Sequence, residues 1–468
     1  MTDGSVVPRD ELIDEIVKRC KGSPLALTVV GKSLCGKHPK IWESTLLEWS
    51  EGSFIDTNRA IFDCLQRSLD DLDGMPVYKE CFMDLGSFPE DHAIPATALI
   101  DMWIELHKLD ADGVHAKRIL HELAARNLVD LVATKNDESE GDGFYDDLYV
   151  RQHDLLRELA IHQNSQGLIH ERKRLNLDIR GNKFPGWFTA QDEQPLNAHL
   201  LSISTDWPHL ELLAVEVLVL NFRTKSYTLP IFIKNLVRLK TLIITNNGFF
   251  PAELSNLAIL GSLPNLKRIR LECIKIPSSD PSDVTLSNLQ KASFFMCDLS
   301  RGMMAMPNLA EIDIAYCSEL ERLPTSLCNI TSLRKISITS CHNLSLLPDQ
   351  IGNLFNLQVL RLSSCMNLSG LPESIGRLQN LAFLDISNCF SIGELPKEIG
   401  GLCMLKELHM KGCSGLSAVP EAVVNLEQLK YVICDVQRAH LWRPHKDRLP
   451  KVTVKIVQDD ITLDWLLK

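Results

Sequence analysis

Five cysteines in the C-terminal half of the chain recur at intervals of 24 residues: Cys317, Cys341, Cys365, Cys389 and Cys413. Each closes a nine-residue phrase with apolar residues at its first, fourth and sixth positions, such as LAFLDISNC at the fourth of these cysteines. A Leu-Pro or Val-Pro pair keeps the same step, at positions 323–324, 347–348, 371–372, 395–396 and 419–420. Two residue patterns that share one repeat length indicate a structural unit that is repeated in tandem.

The phrase L-x-x-L-x-L-x-x-C is that of the leucine-rich repeat, a short strand followed by a turn whose buried cysteine satisfies backbone polar groups. One copy alone cannot bury its leucines, so we expect the copies to stack into a solenoid. Irregular copies begin near Leu200, the regular array follows from about residue 300, and the copy at Leu429 is degenerate. We therefore predict a leucine-rich-repeat domain over residues 196–468, closed by a C-terminal cap.

Length, charge and cysteine content limit the number of domains, the classes of partner and the cellular compartment that are expected. A chain of 468 residues is too long for one compact core. A net charge of -11 argues against a general binder of nucleic acid or anionic membranes. The N-terminus has no secretory signal, and no apolar run approaches the roughly 20 residues that cross a bilayer. With five of the 14 cysteines already assigned as buried single thiols, we predict a cytosolic or nuclear protein.

The N-terminal half divides into three further segments. Residues 1–58 carry apolar side chains at helical spacing and predict a helical subdomain. Residues 59–163 predict more helices and a hairpin, with strands near 128–132 and 147–150 joined by an acidic loop, which is typical of a winged-helix subdomain. Residues 164–195 are polar, contain glycine and proline, and predict a linker. The expected fold class is thus α/β multidomain, with helical and winged-helix subdomains before the solenoid.

Motifs for catalysis are incomplete. Gly31-Lys32-Ser33 resembles the end of a phosphate-binding loop, but Ala26 stands where the pattern needs a glycine, and the surrounding segment is helical. Two His-Glu pairs lack the second histidine of a zinc-protease motif. We therefore predict that the protein is not an enzyme.

Three short motifs in order carry a family resemblance. GSPLAL at 22–27 is followed by CFMDLGSFPED at 81–91 and by QHD at 152–154. Together they resemble the motifs of plant nucleotide-binding leucine-rich-repeat (NB-ARC) immune receptors, and the wording of the second motif resembles the helper branch named for activated disease resistance. The resemblance covers essentially the whole chain. It implies an N-terminally truncated receptor, because the nucleotide-binding sheet, the Walker motifs and the signalling domain have no counterpart here.

The resemblance also implies a nucleotide site. Pro24 corresponds to the residue that lines the adenine pocket, and His153 corresponds to the histidine that contacts the phosphates of ADP. An imidazole can donate a hydrogen bond to a phosphate oxygen and so sense nucleotide exchange. The simpler interpretation is that His153 and Asp154 cap the following helix, and both roles are compatible. ADP or ATP is implied for intact receptors, and we expect this chain alone to bind them weakly or not at all.

The remaining functional surface is the concave face of the solenoid, where the variable strand positions form columns. One column is predicted to hold Asp313, Ser337, Arg361, Asp385 and His409, and the next ends at Lys411. With Tyr316 and Phe383 nearby, this mixture suits protein recognition better than nucleic acid. The protein-binding candidates are Tyr316, Arg361, Phe383, Asp385, His409 and Lys411.

Two hypotheses follow for function. The first is a nucleotide-gated switch in plant defence signalling, which by resemblance engages lipase-like immune signalling proteins, associates with full-length receptors and acts peripherally at the plasma membrane. The second is a leucine-rich-repeat adaptor that presents protein partners, for example to a ubiquitin ligase. The GSPLAL and FPED sequence motifs favour the first hypothesis.

Overall fold

Contacts within the chain divide it into two units. The helical unit comprises Met1–Ile179, Lys183–Ile203 and Leu212–Val219, and the repeat unit comprises Arg180–Asn182, Ser204–Glu211 and Leu220–Lys468. The structure is a computed structural model that describes residues 9–19, 24–50, 65–66, 69–70, 72, 74–90, 92–133, 148–177, 197–203, 214–276, 284–300 and 303–457.

Seven helices are described in the helical unit: α1 Asp10–Arg19, α2 Pro24–Leu34, α3 Pro39–Ser50, α4 Pro76–Leu85, α5 Ala96–Leu106, α6 Val114–Ala125 and α7 Asp154–Asn164. Helix α4 begins at a proline, which is well placed there because the first helical N–H groups have no partner within the helix. Helix α5 is buried along nearly its whole length, with Trp103 fully enclosed. Its buried residues include Asp101 and Glu105 as well as the apolar side chains, so α5 is central to this unit.

The predicted hairpin is present. Strands β2 (Asp130–Ala133) and β3 (Leu148–Arg151) pair antiparallel, and β1 (Ile94–Pro95) joins the other edge of β3. Val150 lies opposite both Ile94 and Leu131 and is fully buried. The acidic loop between the two long strands lies outside the described residues.

The predicted linker contains a strand. β4 (Arg174–Leu177) pairs in parallel with β5 (Leu200–Ile203), from Arg174 opposite Leu200 to Leu177 opposite Ile203. Composition indicated a connector because the segment is polar and contains glycine and proline, yet Arg174 is buried through ion pairs. The structure therefore differs from the prediction at residues 174–177.

The repeat unit is built from short parallel strands. β6 (Val217–Phe222) crosses the boundary between the units, and the further strands are β7 Ser226–Thr228, β8 Thr241–Asn246, β9 Ala252–Ser255, β10 Arg268–Glu272, β11 Ile274–Lys275, β12 Lys291–Phe295, β13 Glu311–Ala315, β14 Lys335–Thr339, β15 Val359–Arg361, β16 Phe383–Asp385, β17 Glu407–His409, β18 Tyr431–Cys434 and β19 Thr453–Ile456. From β8 to β19 the main strands pair in chain order, and β7, β9 and β11 form a separate small sheet. Single turns of 3₁₀ helix return the chain on the opposite side, as at Asp349–Asn353 and Glu373–Arg377. This is the stacked leucine-rich repeat that the period predicts.

The periodic cysteines perform the predicted task. Each is buried, and its thiol meets the carbonyl oxygen of the sixth residue in the preceding repeat, as with Cys389 Sγ and Leu362 O at 2.8 Å. The residue before each cysteine has a left-handed backbone, with φ of 56° at Tyr316 and 60° at Ser364. Its N–H donates to the next repeat, and for Ser364 the acceptor is the Ser387 carbonyl at 2.7 Å. We call this series of turns the cysteine ladder.

A second series, which the sequence analysis did not identify, is formed by asparagines that precede the first leucine in several of the repeats. The side-chain nitrogen of Asn380 donates to the Phe355 carbonyl at 2.8 Å, and Asn356 donates to Thr331 in the same way. Near the same edge the repeats approach closely, since a Cβ at Gly376 would overlap the carbonyl oxygen of Glu398.

The degenerate last copy closes the cysteine ladder. The Asp435 carboxylate accepts a hydrogen bond from Gly412 N at 2.9 Å, and Arg438 Nε donates to the Cys413 carbonyl at 2.8 Å. Helix α8 (Val436–Ala439) carries this arginine, and Trp442, which follows the helix in sequence, is buried. The Asp435 carboxylate here replaces the backbone carbonyl that another repeat would supply, as expected of a cap.

Candidate functional site

The candidate binding surface is the face of the parallel sheet that points away from the leucine core, which we call the open face. In β13, Ile312 and Ile314 are buried in the core, whereas Glu311, Asp313 and Ala315 are partly exposed on the other side. This alternation follows from the two-residue period of a strand. The register places Asp313, Ser337, Arg361, Asp385 and His409 on successive strands, so the predicted column exists.

Two binding candidates in that column are not freely accessible. Arg361 and Asp385 are only 6% and 4% exposed, and Arg361 Nε lies 3.2 Å from Asp385 Oδ2. Because their charges are matched across neighbouring strands, they contribute mainly to the polarity of the surface and to its shape.

The aromatic candidates are more accessible. The ring of Phe383 meets that of His409 edge to face, with centroids 4.7 Å apart, and both are partly exposed. Tyr316 is 36% exposed and packs against Phe295 with centroids 5.2 Å apart. Lys411 lies beyond the end of β17 and is partly exposed. Aromatic side chains of this kind are common anchors in protein interfaces.

A group of charges at the N-terminal part of the open face escaped the sequence analysis. Asp313 lies between two lysines, with Lys335 Nζ at 3.3 Å and Lys291 Nζ at 3.5 Å. Lys291 also approaches Glu311 at 3.7 Å. These pairs form because Lys291, Glu311 and Lys335 share a column that lies beside the column of Asp313, a pattern that becomes visible only when the copies are aligned by register. The open face is therefore polar and largely charge-matched.

The residues assigned to nucleotide binding lie in the helical unit. Pro24 is the first residue of α2, and its side chain lies outside what the structure describes. His153 is the N-cap of α7, where its Nδ1 accepts a hydrogen bond from Leu155 N at 3.3 Å. Asp154 stands in the first turn, where a negative charge is favourable. The capping role of His153 is confirmed, and its contact with a nucleotide remains a prediction.

The CFMDLGSFPED segment contributes a buried polar cluster. Phe82 and Leu85 pack in the core as expected, but Asp84 is also fully buried. Its carboxylate meets Arg174 Nε at 2.6 Å and His107 Nε2 at 2.7 Å. Arg174 also reaches Glu80 at 2.6 Å. This polar cluster connects α4, the end of α5 and β4, and no local pattern in the sequence indicates it.

The charges in the polar cluster are mutually neutralised. Burial raises the pKa of Glu80, but Arg174 and Lys173 outweigh it and bring this pKa down to about 2. Donor atoms of Cys81, Asp84 and His107 lie within 4.8 Å of one another, a spacing that a metal ion could use. However, burial raises the pKa of the Cys81 thiol well above its usual value, and the guanidinium of Arg174 already supplies the positive charge. The donor set therefore fits an ion-pair network rather than a cation site.

Comparison with known proteins agrees with this architecture. The Leucine Rich Repeat family model matches residues 356–378. The probable disease resistance protein At5g66900 of Arabidopsis thaliana is 46% identical over 341 residues, which cover 69% of this chain and 41% of that protein. The probable disease resistance protein At5g66890 of the same plant is 42% identical over 57% of this chain and 67% of that protein, and disease resistance protein ADR1 is 33% identical over 69% and 42%.

The fold defines a leucine-rich-repeat protein. The relatives define it further: the chain belongs to the family of plant disease resistance proteins that includes ADR1. It spans 41% of the length of the first two relatives that it matches. These relatives favour the receptor hypothesis over the adaptor hypothesis.

Among solved structures, the leucine-rich repeat domain of the type III effector XopL has a TM-score of 0.31 at 17% identity, covering 72% of this chain and 95% of that domain. A Leptospira interrogans leucine-rich-repeat protein has a TM-score of 0.22 at 16% identity, covering 52% and 90%. Scores this low add nothing to the assignment. Among the described residues, no helix is long and apolar enough to span a membrane.

Proposed function

We propose that this chain is the regulatory and repeat portion of a plant immune receptor, and that it works by binding a protein partner on the open face rather than by catalysis. The observation that carries this proposal is 46% identity to a disease resistance protein over 69% of the chain. The open face supports it physically, since polar side chains held on a regular strand ladder offer specific hydrogen bonds and partly exposed aromatic anchors.

The finer proposal concerns the switch. Helices α1 to α3 would correspond to the helical subdomain of NB-ARC receptors, and the helices with the sheet β1–β3 would correspond to the winged-helix subdomain. Pro24 and His153 would contact ADP in an intact receptor. In support, His153 is exposed at the start of a helix, where an anion is favoured. Because the sequence contains no complete phosphate-binding loop, we expect weak nucleotide binding by this chain.

The nucleotide proposal is tested by calorimetric titration of the purified chain with ADP. We expect little or no heat from binding. A sub-micromolar dissociation constant would contradict this expectation, and loss of that binding in His153→Ala would then assign the site.

The partner proposal places lipase-like immune signalling proteins on the open face, with association with full-length receptors as a further consequence. We also propose that the protein is cytoplasmic and acts either peripherally at the plasma membrane or in the nucleus. Binding of purified lipase-like proteins to the full chain is measured by pull-down and by interferometry. Phe383→Ala should weaken binding roughly tenfold, as expected for an interface anchor.

The matched control is Phe355→Ala, a phenylalanine that is 52% exposed on the opposite edge of the repeats. It should bind like the unmodified chain. Equal loss in both variants, or in neither, would argue against recognition on the open face.

A further inference from the structure

The turn after β8 presents two phenylalanines to solvent. Phe249 is 85% exposed and Phe250 is 78% exposed, more than any other large apolar side chain in the described part of the chain. Single exposed apolar residues are ordinary on protein surfaces, but adjacent and almost fully exposed phenyl rings are not. This exposure indicates a contact that the isolated chain does not make.

The turn is held firmly in place. Asn246 is only 3% exposed, and its side-chain oxygen accepts hydrogen bonds from Thr224 N and Gly248 N, both at 3.2 Å. Its side-chain nitrogen donates to the Phe250 carbonyl at 2.9 Å. One buried amide thus fixes the turn at Gly248 and Phe250 and ties it to Thr224 of the preceding repeat. A backbone fixed in advance loses little conformational entropy on binding, so it can present the two rings efficiently.

The apolar surface continues along the same edge of the sheet. Strand register places Asn246, Cys273, Met296 and Tyr316 at equivalent positions in successive repeats. Met296 is 46% exposed and Tyr316 is 36% exposed. At a strand spacing of about 4.8 Å, this edge extends for roughly 14 Å. We call Phe249, Phe250, Met296 and Tyr316 the aromatic rim.

Positive charge borders the aromatic rim beside Phe249. The Arg223 guanidinium lies 5.6 Å from the centre of the Phe249 ring. Arg223 and Lys225 are both exposed. Lys275, farther along the edge, is neutralised by Asp298 at 3.0 Å. A partner that covers the rings therefore meets exposed cations at one end.

We propose that the aromatic rim is a docking site for an acidic amphipathic helix of a protein partner. Apolar side chains along one face of a helix recur about every 5.4 Å, close to the strand spacing of the rim, so about three turns can pair with successive rungs. The acidic residues of the helix then face Arg223 and Lys225. Apart from Tyr316, which is also an open-face candidate, this site uses different residues from the open face and adds a second contact with its own partner chemistry.

The test measures fluorescence anisotropy of labelled peptides with the full chain. The probes are an acidic amphipathic helix about three turns long and a scrambled peptide of equal composition without an apolar face. We expect only the amphipathic peptide to bind. Phe249→Ser with Phe250→Ser should weaken binding at least roughly tenfold, and Arg223→Glu several-fold. Phe355→Ser serves as the matched exposed control and should change nothing.

Equal binding of both peptides, or equal binding by the double variant, would overturn the proposal. Vesicles of phosphatidylcholine with and without phosphatidylserine test a membrane instead, and light scattering tests a second copy of the chain. If the double variant loses only vesicle binding or only dimerisation, the occupant is a lipid surface or another copy, and the proposal fails. Far-UV circular dichroism verifies that each variant is folded. None of these results bears on open-face binding, which Phe383→Ala tests separately.

Discussion

The two units stabilise their buried polar groups in opposite ways. In the helical unit, four charged or titratable side chains from distant positions converge on one place, and the bond from Arg174 to Asp84 joins residues 90 positions apart. In the repeat unit, the same need is met by many similar bonds, each joining neighbouring copies, as between Cys389 and Leu362, 27 positions apart. One arrangement concentrates the stability of a region in a few residues, whereas the other distributes it.

This contrast predicts that single substitutions affect the stability of the two units differently. Removing one member of the polar cluster leaves the remaining charges buried without compensation. Removing one rung of the cysteine ladder affects the two adjoining repeats, while the other rungs remain intact. The predictions below test this difference, from the largest expected effect to the smallest.

The polar cluster should be the most sensitive site. Asp84→Ala removes the carboxylate that Arg174 and His107 share, so we expect a loss of about 3–5 kcal/mol in the free energy of unfolding. Denaturant titration followed by circular dichroism measures the loss. Asp70→Ala is the control, since Asp70 is exposed and pairs with Lys79 at 3.8 Å. Similar losses in the two variants would remove the distinction between the units.

The second-largest effect is expected where the 3₁₀ turns of neighbouring repeats stack closely. Gly376→Ala places a methyl group against the Glu398 carbonyl, and we expect a loss of about 1–3 kcal/mol because neighbouring turns must separate. A Cβ at Gly370 meets open space, so Gly370→Ala should be near neutral. Thermal unfolding of the two variants compares them directly. Equal melting temperatures would show that the repeats are not in close contact there.

The cysteine ladder should lose stability in independent steps. Cys317→Ala and Cys389→Ala each remove a buried thiol and its contact with a carbonyl, at about 1–2 kcal/mol apiece. They lie three rungs apart, so the double variant should show the sum within about 0.5 kcal/mol. Cys403→Ala is the exposed control. Strong non-additivity in the double variant would contradict a ladder of local bonds.

The smallest expected effect is on how the unfolding free energy depends on pH, through the polar cluster. The folded-state pKa of Glu80 is lowered to about 2 from 4.5, so its ion pairs stabilise the fold fully above about pH 4.5. This stabilisation is lost as the pH falls through about 2. Glu80→Gln should therefore flatten the dependence of unfolding free energy on pH in that window. Glu122→Gln, which breaks a surface pair with Arg126, should leave the dependence nearly unchanged.

Prediction from sequence was most successful where a local pattern determines the structure. The repeat period located the strands, the buried thiols and the column through Asp313 and His409, because equivalent positions in each repeat have the same structural environment. The hairpin at β2 and β3 followed from strand propensity at its two ends. The asparagines at Asn356 and Asn380 were also periodic, and a second alignment on the residue before the first leucine would have identified them.

Other features have no local pattern. The strand at Arg174 was predicted as linker, since a charged residue in a polar segment gives no sign that it is buried. The pairing of Arg361 with Asp385 was missed for a related reason. Both residues were expected to be available to a partner, but neighbouring strands bring them within 3.2 Å, and each neutralises the other.

The sequence by itself determined the repeat architecture and the family, because both depend on residues at short, regular spacing. Only the tertiary structure decided which polar side chains are satisfied within the chain and which remain exposed. Burial and pairing depend on residues far apart in sequence, as in Asp84 with Arg174. The aromatic rim is the clearest case: strand register aligns Met296 with Tyr316, and the turn that carries Phe249 lies against the neighbouring repeat through Gly248 and Cys273.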